Sequence, residues 1–176
     1  MAEITCFVLD VDGVLTDGRL LYGGCTEPMR SFHVHDGLAI RAFVRIGGRV
    51  AIITGKQSLA VEQRAAELGI GPVVQAARDK GAEFDRLLQQ LDLSPDQVAV
   101  VGDDLPDLPM LRRCGYPLAV ADAAEEVRAV ARYVTQRSGG RGAVREALEH
   151  VLRRDGRWQQ IVELFDPQAD PAAARK

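Results

Sequence analysis

The chain has 176 residues, 47% hydrophobic and 27% charged, proportions of a globular protein with room for one sizeable core. A formal net charge of -3 gives no general attraction for nucleic acid or an anionic membrane, so an anionic ligand must be met by a local cluster of cations. No apolar run approaches the roughly 20 residues of a membrane-spanning helix. Cys6, Cys25 and Cys114 are odd in number without CxxC spacing, and Met1 is followed by Glu3 rather than a basic and apolar leader; together these imply a reduced, cytoplasmic protein.

In chain order, the first apolar run predicts a buried strand over 4–9, running straight into "DVDGVLTDG" with Asp10, Asp12 and Asp17. The stretch "GRLLYGGCTEPMRSFHV" has extended segments on either side of Gly23 and Gly24, which predicts a β-hairpin insertion over about 17–35. Helical period then predicts helices over 38–46, 58–68, 80–91 and 125–131, with Gly69 closing the second. Between them, β-branched runs predict strands over 50–53, 73–74, 98–101 and 118–120. After Tyr133 and Val134, "SGGRGAVREALEHVLRRDG" reads as a glycine turn entering a helix, 158–165 as a short helix, and 166–176 as a mobile tail. Strands alternating with helices predict an α/β fold, a Rossmann-like parallel sheet with helices on both faces, a small hairpin flap and no cap domain, in one domain over 1–165.

Ligands of such sheets sit beyond the carboxyl ends of the strands, and the polar clusters of this sequence fall there. Asp10 and Asp12 follow the first strand, Thr54, Gly55 and Lys56 the second, Asp79 and Lys80 the third, and Asp103, Asp104 and Asp107 the fourth. Carboxylates packed this closely repel unless a cation neutralises them, and an oxygen-only set suits Mg²⁺. A carboxylate can also attack phosphorus, while an acid two residues along an extended backbone faces the same side and can protonate the departing oxygen. Thr54 and Lys80 supply the hydroxyl and positive charge that phosphoryl oxygens require. Asp107 reads equally as a helix-start acid or as support for the site, and Asp17 as a turn residue. His33 and His35 share a two-residue spacing, but three histidines in the chain make no zinc set. "GGRGAVRE" is either a structural turn or part of the site.

"DVDGVLTDG", "IITG", a lysine heading the third helix and "VGDDLPDLPML" resemble the four motifs of the haloacid dehalogenase superfamily of phosphohydrolases. More narrowly, "FHVHDGLAI", "AIITGK" and "GGRGAVRE" resemble its capless 3-deoxy-D-manno-octulosonate 8-phosphate phosphatases, which serve lipopolysaccharide sugar synthesis. The resemblance implies Asp10 as nucleophile and Mg²⁺ ligand, Asp12 as acid/base with its backbone carbonyl on the metal, and Asp103 as third protein ligand. Thr54 and Lys80 match the positions that hold the phosphoryl group, with Lys80 also restraining Asp10. With Asp12 and Lys80, the residues His33, Val34, His35, Asp36, Gly37, Arg41, Lys56 and Arg64 match a sugar-acid site built partly across a subunit boundary. The family more often has arginine at His35 and Lys56, and lysine lacks arginine's bidentate fork. Lys56 and Glu67 nevertheless argue for the eight-carbon substrate over the nine-carbon 2-keto-3-deoxynononate 9-phosphate or another sugar phosphate. The resemblance also implies a homotetramer whose hairpins meet in a central barrel. Two rivals of another class remain: a phospho-accepting signalling domain, disfavoured because a receiver places its phosphoacceptor at the third strand, and a catalytically silent interaction subunit.

Overall fold

The structure, a computed structural model, describes residues 2–23 and 27–166; Cys25 and all but the first residue of the expected tail lie outside them. Strands β1 (Cys6–Leu9), β2 (Arg49–Ile53), β3 (Val73–Val74), β4 (Val98–Gly102), β5 (Tyr116–Ala119) and β6 (Tyr133–Val134) form one parallel sheet in the order β3-β2-β1-β4-β5-β6. β1 lies between β2 and β4, with Leu9 opposite Ile52 on one side and Val101 on the other. β1 and β4 are buried throughout, which is why they read as continuous apolar runs rather than alternating ones.

Helices α1 (Val34–Arg45), α2 (Leu59–Leu68), α3 (Lys80–Leu91), α4 (Leu108–Leu111), α5 (Glu125–Val130), α6 (Ala143–Arg154) and α7 (Trp158–Glu163) connect and follow the strands. The chain moves outward from β1 through β2 to β3, returns to β4, and moves the opposite way to β6. Because crossovers are right-handed, the reversal sends the helices to opposite faces. Contacts divide accordingly: α1 packs on α2 and α6, and α6 on α7, while α4 packs on α3 and α5. The reversal falls between β1 and β4, and a crevice opens outside their carboxyl ends.

Two boundaries need correction. The expected hairpin is present: within the described residues its arms pair through one antiparallel bridge, Leu21 with Met29, closed by two hydrogen bonds of 3.3 and 3.1 Å. Its last residues belong to α1, which starts at Val34 rather than 38 because His33 caps it, the imidazole Nδ1 accepting from the His35 N–H at 3.3 Å. β5 begins at Tyr116, ahead of the expected 118, and runs through Pro117. The Pro117 carbonyl accepts from Arg132 N–H on the β6 side, so the missing Pro N–H falls on that side too, before β6 starts, and costs no ladder bond.

Candidate active site

Asp10 leaves β1 while its N–H still donates to Val101 O at 3.2 Å, carrying the ladder one residue past the strand and burying the carboxylate at the cleft floor. The chain then turns at Gly13, whose φ is +101°, and a Cβ there would stand 2.0 Å from Asp103 Oδ2. Only glycine permits both that backbone and the approach of the β4 acid. Thr54 leaves β2 with its N–H on Val74 O and its carbonyl accepting from Ala77 N–H, and it too is buried. Lys80 is the first residue of α3, whose N-cap Asp79 accepts from Ala82 N–H at 3.0 Å.

These strand ends converge. Lys80 Nζ lies 2.8 Å from Asp10 Oδ1 and donates to Asp107 Oδ1 at 2.6 Å. Asp107, in the turn after β4, uses its other oxygen to accept from Asp103 N–H at 3.0 Å and Asp104 N–H at 3.5 Å. Asp107 thus fixes the lysine and the Asp103 loop together. It is almost fully buried, and its bond from the Asp104 N–H also closes the capping box of the short turn Leu105–Asp107, so it meets both descriptions that the sequence left open. The cleft measures about 580 Å³ and is lined by Asp10, Asp12, Thr54, Lys56, Lys80 and Asp103 among others.

Burial, reinforced by the charge of Asp107 and opposed by Lys80, raises the Asp10 carboxyl to about 6. Burial and then the charges of Asp10 and Asp107 raise Asp103 to about 8. Burial alone would depress Lys80, but Asp10 and Asp107 hold it above its ordinary value, so it stays charged.

Asp10, Asp103 and Asp107 offer oxygens within 4.8 Å of one another. Asp107 is already occupied by Lys80 and backbone N–H groups, whereas among the described residues Asp103 Oδ1 is buried without a hydrogen-bond partner and Asp10 Oδ1 is met by the Lys80 ion pair. A hard divalent cation with oxygen preference fits these two carboxylates. The Asp12 carboxylate is not one of this group and pairs with Arg30: Nε donates to Oδ1 at 2.7 Å and an Nη to Oδ2 at 3.2 Å.

A family model of haloacid dehalogenase-like hydrolases matches residues 72–148. The 3-deoxy-D-manno-octulosonate 8-phosphate phosphatase KdsC of Escherichia coli is 44% identical over 155 residues, which is 88% of this chain and 82% of that protein. Its counterpart from Yersinia pestis is 42% identical over 151 residues, 86% and 81% of the two chains. The crystal structure of the Moraxella catarrhalis phosphatase in complex with magnesium ion, phosphate ion and KDO matches with a TM-score of 0.89 at 38% identity, over 93% of this chain and 94% of that one. The chain belongs to the 3-deoxy-D-manno-octulosonate 8-phosphate phosphatase family.

Not every residue expected at the family's sugar-acid site lies at this cleft. Lys56 lines it, 3.8 Å from Asp12 Oδ2. Val34, Gly37, Arg41 and Arg64 line a separate groove between α1 and α2, where a Cβ on Gly37 would stand 2.2 Å from an Arg64 nitrogen. Arg64 pairs with Glu67 at 2.8 Å. His33 and His35 stack edge to face, 5.0 Å apart, and His35 borders a third hollow beside Tyr133 and Arg145. The Asp36 carboxylate is buried and accepts from Arg145 N–H at 2.7 Å, capping α6 from the neighbouring helix. Burial raises its pKa, against the bonds from Arg145 and Gly142.

"GGRG" is a turn that braces the loop after β1: Gly140 N–H donates to Val14 O at 3.0 Å, and a Cβ on Gly139 would stand 1.7 Å from Gly13 O. Asp17 behaves as a turn residue, accepting from Arg19 N–H and pairing with Arg141 at 3.7 Å. Sequence reasoning missed Arg30 altogether. Its partner lies 18 residues away in the chain across an irregular segment, and no periodicity links such a pair.

Proposed function

We propose that this protein hydrolyses 3-deoxy-D-manno-octulosonate 8-phosphate to the free sugar acid and phosphate with Mg²⁺. The observation that carries the reading is the convergence of Asp10, Lys80, Asp107 and Asp103 at the β1/β4 crevice in a chain 44% identical to KdsC. Asp10 attacks phosphorus and takes the phosphoryl group as an aspartyl phosphate. As the ester bond breaks, its electron pair stays on the sugar oxygen, which takes a proton from Asp12. Asp12 then draws a proton from the water that hydrolyses the aspartyl phosphate, returning both residues to their starting forms. Lys80 and Thr54 meet the phosphoryl oxygens, with Lys80 held in place by Asp107. Asp10 and Asp103, with the Asp12 backbone carbonyl, would hold Mg²⁺, which would supply neutralisation of charge on the phosphoryl group.

Since much of the expected sugar-acid set lies off the cleft of its own chain, a neighbouring copy would complete the pocket, as a homotetramer allows. Among the described residues no helix is long and apolar enough to cross a membrane, in keeping with a cytoplasmic enzyme. The test is phosphate release from the eight-carbon substrate, 2-keto-3-deoxynononate 9-phosphate and simple sugar phosphates, with and without Mg²⁺. Preference for the eight-carbon acid of at least about 10-fold in kcat/KM, or about 1.4 kcal/mol, is expected; equal turnover of simple sugar phosphates would reject the substrate.

A further inference from the structure

The segment from Glu27 to Arg30 joins the start of α2 to the loop that follows β1. At one end, Glu27 caps α2: its carboxylate accepts from Leu59 N–H at 3.1 Å and Ala60 N–H at 3.3 Å, and meets Ser58 Oγ at 3.4 Å. Ser58, at the N-cap position, makes no side-chain cap of its own, so Glu27 supplies the missing acceptor. That helix start follows directly on Thr54 and Lys56. At the other end, Arg30 forks onto both oxygens of Asp12 and donates to Pro28 O at 3.4 Å.

We propose that Arg30 is a positioning residue for Asp12, setting its carboxylate for proton transfer at the ester oxygen, and that Glu27 ties this setting to the Thr54 loop. The proposal rests on the assignment of Asp12 as acid/base. Arg30 acts from behind. Asp12 lines the catalytic cleft and Arg30 does not; the arginine side chain is only 2% exposed and borders a different hollow beside Phe32 and Arg64. A carboxylate offers about four lone-pair sites, and the fork takes one on each oxygen, leaving the cleft side of Asp12 for the substrate. A bidentate pair also fixes the plane of the carboxylate, which a single contact does not. Lys56, exposed and 3.8 Å away, supplies charge without that constraint.

The test is a comparison of leaving groups. A sugar alkoxide needs its proton as the ester breaks, whereas 4-nitrophenolate leaves without one. Because kcat/KM reports the steps up to that departure, before Asp12 acts as base in the hydrolysis both esters share, loss of acid positioning lowers it for the first ester and spares the second. Arg30→Met is expected to lower kcat/KM about 30- to 100-fold on the sugar-acid phosphate, within the usual worth of general acid catalysis, and less than about threefold on 4-nitrophenyl phosphate. KM for the sugar-acid phosphate should not rise more than about threefold. Arg30→Lys, which keeps the charge but not the fork, should shift the ratio of the two rates the same way by a smaller amount, and it serves if the methionine variant does not fold. Glu27→Gln should do likewise. An equal fall on both esters, or a rise in KM alone, overturns the proposal. If the wild type prefers another alkyl phosphate, the substrate reading fails, while the same ratio measured with that ester still decides the part played by Arg30.

Discussion

Asp103 is held beside Asp10 and Asp107 without an ion pair of its own among the described residues, and its carboxyl is raised to about 8. A carboxyl raised above its ordinary 3.8 binds a proton more tightly in the folded than in the unfolded chain. The metal-free protein therefore loses stability as pH rises from about 4 to about 8. Asp103→Asn removes that penalty: metal-free stability at pH 8 should rise by on the order of 1 kcal/mol after solvent screening, with no gain near pH 4. Urea titrations at the two pH values check this, and a destabilised variant at pH 8 would contradict it. Mg²⁺ at about 100 times its Kd should stabilise the wild type by about 2.7 kcal/mol and the variant by under about 1 kcal/mol, with turnover lost. The acids themselves were legible, because strand ends in a parallel sheet are where ligands bind. The motif resemblance alone singled out Asp103 as a metal ligand; that Asp107 pairs with Lys80 was not legible, since the two acids differ by one turn of backbone whose direction no pattern in the sequence specifies.

Between elements, Asp36 shows how one side chain joins two helices. The N-cap of α6 is Gly142, which has no side chain to cap with, and Asp36 of α1 fills that role through Arg145 N–H. Asp36→Ala should leave that buried donor unpaired and cost about 1–2 kcal/mol, whereas Asp36→Asn keeps an acceptor and should cost under about 1 kcal/mol. Unfolding midpoints of the two variants separate them; equal losses would show that the cap contributes nothing. The long runs of β1, β2 and β4 and the helical periods of α2, α3 and α6 were readable because burial there follows strand or helix spacing. The start of α1 was obscured by a histidine cap, and β5 by a proline whose lost N–H falls beyond the end of its neighbour. The flap read as a hairpin because its segments are extended and apolar, yet a single bridge is all that pairs within the described residues of the chain.

At the scale of the whole molecule, that bridge leaves a question of cover. Leu21 and Met29 are 57% and 50% exposed and Val34 is 72% exposed, on the segment that carries Glu27 and Arg30 into the site. Two extended strands sharing one bridge are only marginally stable in water, and exposed apolar side chains gathered on such a segment suit an interface. A neighbouring copy would bury them and could bring its own cations to the cleft, since Arg41 and Arg64 line a groove apart from Asp10 in the same chain. We expect a homotetramer at micromolar concentration. Replacing both Leu21 and Met29 with glutamate should shift the species seen by light scattering to dimer or monomer, because each buried carboxylate would go uncompensated. Asp10, Lys80 and Asp107 lie within one chain, so hydrolysis of 4-nitrophenyl phosphate should survive within about fivefold, while kcat/KM for the sugar-acid phosphate should fall at least about 10-fold, equivalent to about 1.4 kcal/mol of transition-state binding. A folded monomer with full activity and unchanged preference between the two esters would show that the neighbouring copy adds nothing to the site.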